Sequence, residues 1–277
     1  MAISIASLRR HSDTKPPRLL IYGPPGLGKT TLAAEFPAPV LLDVEGGRPA
    51  EVTAEAVPGW NEADLSSYGA VMEAVGALYS DEHAFQTVIV DALDRLEPLV
   101  WRAVCEAEGW TRGIETPGYG KGYVAADSLW RDFLDGLNAL RRDRGMTIIM
   151  IAHSTVERFD DPLTVSYSRF DIRLHKRALA MVQDEVDAIL FLNQDVTVKK
   201  EDQGFSKSRA HAEGGGNRWV YAEGRPAFTA KNRYGLPDKF RFQKGAGFAT
   251  LAPFFGLTSP PAEEPAPPPA ARGKKAA

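Results

Sequence analysis

The stretch Gly23-Pro24-Pro25-Gly26-Leu27-Gly28-Lys29-Thr30, followed by Thr31, decides the fold. It fills every position of the G-x-x-x-x-G-K-[ST] phosphate-loop pattern. The run before it, Arg18-Leu19-Leu20-Ile21-Tyr22, is short and apolar and predicts a buried strand. The run after it, Thr30-Thr31-Leu32-Ala33-Ala34-Glu35, predicts the start of a helix. Glycines let the backbone bend so that successive N–H groups face one phosphate chain. The helix N-terminus adds partial positive charge. Lys29 is then expected to reach the β- and γ-phosphates, and the Thr30 hydroxyl to ligate Mg²⁺. The plain alternative is a glycine turn before a helix, and the strand–loop–helix context counts against it.

Further apolar runs also end on polar residues. Pro39-Val40-Leu41-Leu42-Asp43-Val44-Glu45 predicts a second strand closed by Gly46-Gly47. Ala84 to Asp91 predicts a buried strand ending on an acid, and Met146 to His153 one ending on a histidine. Between them, residues 62–80, 95–108 and 125–144 carry helical spacing, and 174–187 reads as another helix before the strand 188–192. Residues 52–60 are expected to form a short edge strand. Residues 109–122 read as a long glycine-rich loop and 154–172 as polar and irregular. Alternating strands and helices imply a mostly parallel sheet with helices on both faces, whose ligands sit at the strand C-termini.

After Asn193 the texture changes. Val196–Lys199, Trp219–Ala222, Ala227–Ala230 and Phe240–Phe242 read as short antiparallel strands separated by polar segments at 200–217 and 223–226. Residues 1–17 read as a lead-in, 18–257 as one domain, and 258–277 as a Pro- and Ala-rich tail whose composition cannot bury a core and predicts disorder.

Composition sets bounds. The 277 residues are 44% hydrophobic, enough for a full core, and carry a formal net charge of -3, so no global basic field attracts nucleic acid. Cys105 is the only cysteine, which excludes an intramolecular disulfide and a cysteine-rich zinc site. No stretch approaches the roughly 18 consecutive apolar residues of a membrane span. The first residues place their charges after the apolar part, unlike a signal peptide. A cytoplasmic protein with no membrane partner is expected.

The strand ends suggest roles. Asp91 closes a Walker B-like run and is expected to hold Mg²⁺ beside Thr30, or else to end a strand or cap the next helix. Glu45 is the candidate general base, with Asp43 on the same side of the strand. The alternative is a solvated strand end. His153 is either a γ-phosphate sensor or a hydrogen-bonded structural group. Lys231 and Arg233, in Lys231-Asn232-Arg233-Tyr234-Gly235, are either cations for the γ-phosphate, supplied by a neighbouring subunit, or a solvated basic strand end.

Together these features resemble the RecA-like P-loop ATPase core, and in particular the phage-encoded RecA/RadA-like AAA-type nucleotide-binding proteins of single-strand annealing and recombination modules. The motifs that carry the resemblance are Gly23–Thr30, Leu42-Asp43-Val44-Glu45-Gly46, Val88–Asp91, Ile148–His153 and Lys231–Gly235. It covers roughly residues 16–256. It departs at His153, where classical recombinases carry glutamine, and no separate N-terminal or C-terminal DNA-binding domain is expected from the sequence. The resemblance implies a RecA-like core with a C-terminal antiparallel β extension, ATP and Mg²⁺ as cofactors, and a DNA-stimulated ATPase. It also implies self-assembly into a ring or filament with ATP at subunit interfaces. By position, 111–124 and 154–173 would be its DNA loops. They contain Arg112, Tyr119, Lys121 and Tyr123, then Arg158, Phe159, Tyr167, Arg169, Phe170 and Arg173. Cations interleaved with aromatic rings suit single-stranded DNA.

The leading expectation is therefore ATP hydrolysis coupled to single-stranded DNA in phage-type recombination, annealing or replication. A second reading is a nucleotide-gated loader with slow or no turnover. It would dock an annealing protein, single-strand binding protein or helicase through the tail bearing Arg272, Lys274 and Lys275. A third is a small-molecule P-loop kinase, which the late β segment argues against.

Overall fold

The computed structural model describes residues 15–202 and 208–257, and for 196–215 the backbone alone. The expected tail at 258–277 and most of the lead-in lie outside the described residues. The chain begins with β1 (Arg18–Gly23), the phosphate loop and α1 (Lys29–Ala34). β2 (Pro39–Asp43), β3 (Gly59–Trp60), α2 (Tyr68–Ser80), β4 (Thr87–Asp91), α3 (Leu93–Glu108) and α4 (Lys121–Asp143) follow. The second half holds β5 (Thr147–Phe159), β6 (Tyr167–Ile172), α5 (Lys176–Glu185), β7 (Ala188–Asp202), β8 (Ser208–Tyr221), β9 (Lys231–Asn232), β10 (Lys239–Phe242) and α6 (Gly247–Phe255).

The strands form one sheet in the order β10-β8-β7-β1-β5-β4-β2-β3. From β3 to β7 all neighbours are parallel. β8, β9 and β10 add antiparallel pairings on the β7 side. This is the mostly parallel α/β architecture with an antiparallel C-terminal extension that the sequence predicts. β5 lies between β1 and β4, so the strand ending in His153 separates the phosphate loop from Asp91.

Both faces of the sheet are covered, which is why its central strands are apolar throughout rather than alternating. Leu20, Tyr22, Val88, Val90, Ile148 and Met150 face one core, closed by α2, α3, α4 and α5. Leu19, Ile21, Ile89, Ile149 and Ile151 face the other, closed by α1, Phe36 and α6. At the end of β1, a Cβ on Gly23 would stand 2.1 Å from the carbonyl oxygen of Leu192. Only glycine lets the loop leave the strand this close to β7.

Several expectations change. The second strand stops at Asp43, whose carboxylate turns back to accept the Gly46 N–H at 2.8 Å, so Asp43 and Glu45 do not share a strand face. The helix expected from 62 starts at Tyr68. Asn61 accepts the N–H groups of Ala63 and Asp64 in a turn, and Ser67 caps the helix through the Ala70 N–H at 3.1 Å. Residues 154–172 are not irregular. β5 runs on to Phe159 and pairs with β6 antiparallel, Ser154 opposite Ile172. Ile172 at the base of the hairpin reaches the core, while the outer part carries polar residues and leaves Val156 exposed.

The strand expected at Val196–Lys199 is part of β7, and of the segment read as polar, 200–202 and 208–217 continue the antiparallel β7–β8 pairing, with a register shift between Gln194 and Val196. In place of a strand at Ala227–Ala230, Arg225–Phe228 forms a turn whose end residues bond each other reciprocally, and pairing to β7 falls just beyond it, at β9. The sequence reading omits α6 because Gly247 and Pro253 obscure its pattern. The apolar positions Phe248, Leu251, Ala252 and Phe255 nonetheless repeat at helical spacing.

Candidate active site

The carboxyl edge of the sheet brings β1, β4 and β5 to one cavity of about 320 Å³. Gly26, Gly28, Lys29, Thr30, Thr31, Glu45, Asp91 and His153 line it, as do Glu51 and Arg218. Gly28 sits at φ 94° as the N-cap of α1, a left-handed conformation that favours glycine.

Lys29 is buried, and its ammonium donates to the carbonyls of Gly23 at 3.2 Å and Pro24 at 3.0 Å. Burial holds its pKa below the ordinary lysine value, against the pull of Asp91, Glu45 and Asp94. The ammonium thus rests on backbone dipoles, and among the described residues no carboxylate forms an ion pair with it. The Thr30 hydroxyl donates to Asp91 Oδ2 at 2.5 Å. Burial pushes the Asp91 carboxyl up to about 6. Its hydrogen bond from Thr30 works against this rise, while the charges of Glu45 and Asp43 add to it. A buried carboxylate crowded by other acids favours a cation that neutralises it.

The residues present fit Mg²⁺. A hydroxyl and a carboxylate are hard oxygen donors, and Mg²⁺ is commonly held by one or two carboxylates plus substrate phosphates and water. Among the described residues, no group of three or more His, Cys, Asp and Glu side chains offers an all-protein metal site.

Glu45 and His153 meet on the same side of the cavity. Glu45 Oε1 lies 3.6 Å from His153 Nε2 and 4.0 Å from Arg95 Nε. Behind the ring, Asp94 accepts the His153 backbone N–H at 2.9 Å and lies 3.2 Å from Nδ1 through either oxygen. Arg173, just past β6, also donates to Asp94. Burial alone would raise the Asp94 pKa. The bonds from His153 and Arg173 outweigh it and hold that carboxyl well below the usual range. A continuous chain, Glu45–His153–Asp94–Arg173, therefore runs from the cavity to the base of the β5–β6 hairpin. Asp94 is absent from the sequence reading, since the first turn of a helix is an ordinary place for an acid.

Lys231 and Arg233 lie elsewhere. They sit beside the start of β7, at the opposite edge of the sheet from the phosphate loop. Lys231 Nζ donates to the Gln183 carbonyl at 2.5 Å. Arg233 approaches Asp187 at 3.5 Å, and Asp187 also binds Arg18 at 3.1 Å and Arg141 at 2.9 Å. Within one chain these cations do not line the cavity.

The candidate DNA residues divide into two groups. Arg112, Lys121 and Arg158 are exposed. Arg158 binds its hairpin neighbours Asp160 at 3.0 Å and Ser166 at 2.9 Å. Arg169 lies over the Phe159 ring at 4.3 Å and binds Asp171 at 2.6 Å, while Arg173 holds Asp94. Tyr123 stacks on His175 with ring centres 4.0 Å apart and donates to Glu115. Phe170 packs against Phe191 beside the core, which removes it from the stacking candidates.

Among the described residues, no helix is long and apolar enough to cross a membrane. No curated protein matches the chain. One solved structure that it resembles is titled "Crystal structure of the RadB recombinase". The identity is 16%, the match covers 83% of this chain and 90% of that one, and the TM-score is 0.46. The model of the AAA_24 family, described as an AAA domain, matches residues 15–234, and the chain belongs to that family.

Proposed function

We propose that this AAA domain is a Mg²⁺-dependent ATPase that acts on single-stranded DNA in phage-type recombination, annealing or replication. The observation that carries the hydrolytic part is the meeting of Glu45 and His153 beside Lys29, Thr30 and Asp91 in one cavity. Lys29 binds the outer phosphates, and the phosphate-loop N–H groups cradle the chain. Glu45 orients and deprotonates the attacking water. His153, held by Asp94, positions Glu45. Thr30 and Asp91 would hold Mg²⁺, which when bound would neutralise charge on the phosphates. Lys231 and Arg233 approach the site of a neighbouring copy, in keeping with their distance from the site of their own chain.

The DNA part is supported by the β5–β6 hairpin. It continues the strand that delivers His153 and carries Arg158, Arg169, Phe159 and Tyr167. Cations and rings on one projecting element suit a flexible, stacked polyanion.

The test is the ATPase rate with and without single-stranded DNA, alongside size analysis with a non-hydrolysable ATP analogue. Stimulation and assembly are expected. Turnover that persists in Lys29→Ala would overturn the enzyme assignment. Turnover indifferent to DNA, with no DNA-dependent assembly, would overturn the DNA assignment.

A further inference from the structure

Arg218 enters the cavity from an unexpected direction. It belongs to β8, which is antiparallel to the core strands and far along the chain from the phosphate loop. Yet it lines the same cavity as Lys29, Thr30 and Asp91. Its Nη1 lies 3.2 Å from the point where a Cβ on Gly28 would stand, and the Phe242 ring lies 3.0 Å from the same point. Gly28 is the residue immediately before Lys29 and caps α1, so the guanidinium borders the last turn of the phosphate loop. Phe242 pairs with Arg218 across β10–β8 and is itself buried, which fixes the strand that presents the arginine.

The charge balance of the cavity gives this position meaning. Glu45, Glu51 and Asp91 contribute carboxylates, and among the described residues Lys29 and Arg218 are the lysine and arginine of the lining. Lys29 is a point charge on a buried stem. A guanidinium has a planar fork that can bond two oxygens of a phosphate at once.

From this geometry we infer that Arg218 is a phosphate-binding residue, supplied in cis by β8, that grips the phosphate chain of a bound nucleoside triphosphate on the flank of the loop lined by Gly28. The inference rests on the proposed nucleotide reading and adds a residue and a direction of approach to it. The loop would then be closed on one side by its own helix and on the other by the antiparallel extension. The extension would sense whether the phosphate chain is present.

The test is binding of a non-hydrolysable ATP analogue, ADP, AMP and inorganic tripolyphosphate to the full chain and to Arg218→Ala, Arg218→Lys and Lys29→Ala. Arg218→Ala is expected to weaken the triphosphate and tripolyphosphate by about 10- to 100-fold, the range of a charge-assisted pair. AMP is expected to change by less than about threefold, a dependence on phosphate number that a purely structural role would not produce. Arg218→Lys should fall between Ala and the wild type, and it keeps the proposal falsifiable should the alanine variant fold poorly. Wild-type binding of the triphosphate with equal affinity in both Arg218 variants would overturn the role of Arg218 while leaving the nucleotide reading intact. Failure of the wild type to bind either nucleotide or tripolyphosphate would overturn both.

Discussion

Asp94 and His153 are joined twice, backbone N–H to carboxylate at 2.9 Å and ring Nδ1 to the same carboxylate at 3.2 Å. The double contact fixes the ring so that Nε2 faces Glu45. Arg173 on the other side of Asp94 ties the pair to the hairpin base. Asp94→Asn keeps an acceptor for the backbone N–H but removes the charge that holds Arg173. We expect basal ATP turnover to fall less than tenfold and DNA stimulation to disappear. Rates measured over a DNA titration check this, and full stimulation in the variant would dissociate the chain from coupling.

Glu45→Gln should separate binding from turnover. The amide keeps the size and one acceptor of the carboxylate but cannot take a proton. Turnover should drop by about 10²- to 10⁴-fold, the usual contribution of a general base. The Kd for the ATP analogue should stay within about threefold. A matched loss of affinity and rate would instead place Glu45 among the binding residues.

The exposed cations Arg112, Lys121 and Arg158 make a salt-dependence prediction. Changing all three to Ala should weaken single-stranded DNA binding with little regard to sequence. It should also lower the slope of log affinity against log salt by about 2, from roughly 0.7 per neutralised phosphate on a single strand. Fluorescence anisotropy at several salt concentrations reads the slope. An unchanged slope would remove these residues from the DNA path.

Glu97 on α3 carries a pH prediction outside the site. Burial pushes its carboxyl up to about 7, partly opposed by the His175 N–H that it accepts at 3.0 Å and 3.1 Å and reinforced by the charge of Asp94. A raised acid contributes stability fully present below its unfolded value near 4.3 and lost as pH rises through about 7. Glu97→Gln keeps an acceptor and does not ionise. It should therefore gain about 1–3 kcal/mol relative to the wild type between pH 5 and pH 8. Denaturant melts at both pH values measure the difference, and parallel pH profiles for the two proteins would contradict it.

The parallel core was legible because its evidence is contiguous. A buried central strand must be apolar throughout, and the groups it delivers stand at its end, so Asp91 and His153 are visible in single runs of sequence. The β5–β6 hairpin was not legible for the converse reason, whereas Val196–Lys199 and Trp219–Ala222 were legible as antiparallel strands. Val156, Glu157 and Arg158 of β5 are exposed, so this stretch needs no apolar alternation, and a polar strand then reads as a loop. Arg218 was hidden by the same effect, since only the fold returns β8 to the phosphate loop. Glu45 was found for a partly mistaken reason. It lies past the end of β2, and its setting comes from His153 and Arg95 across the cavity, with no contribution from a strand face shared with Asp43.

Glu35, at the end of α1, accepts the N–H groups of Gly245 and Gly247 at 2.6 Å and of Phe248 at 3.0 Å, and so caps α6 on the same face of the sheet. Phe248 and Phe255 then cover Phe36. This has a consequence for synthesis on the ribosome. The phosphate-loop helix emerges early, but its apolar side stays open to water until residues near 255 have left the exit tunnel. Each buried aromatic on that face is worth about 1.5–3 kcal/mol. A nascent chain halted at 234, where the family match ends, would carry the complete phosphate-loop motif on a half-covered sheet.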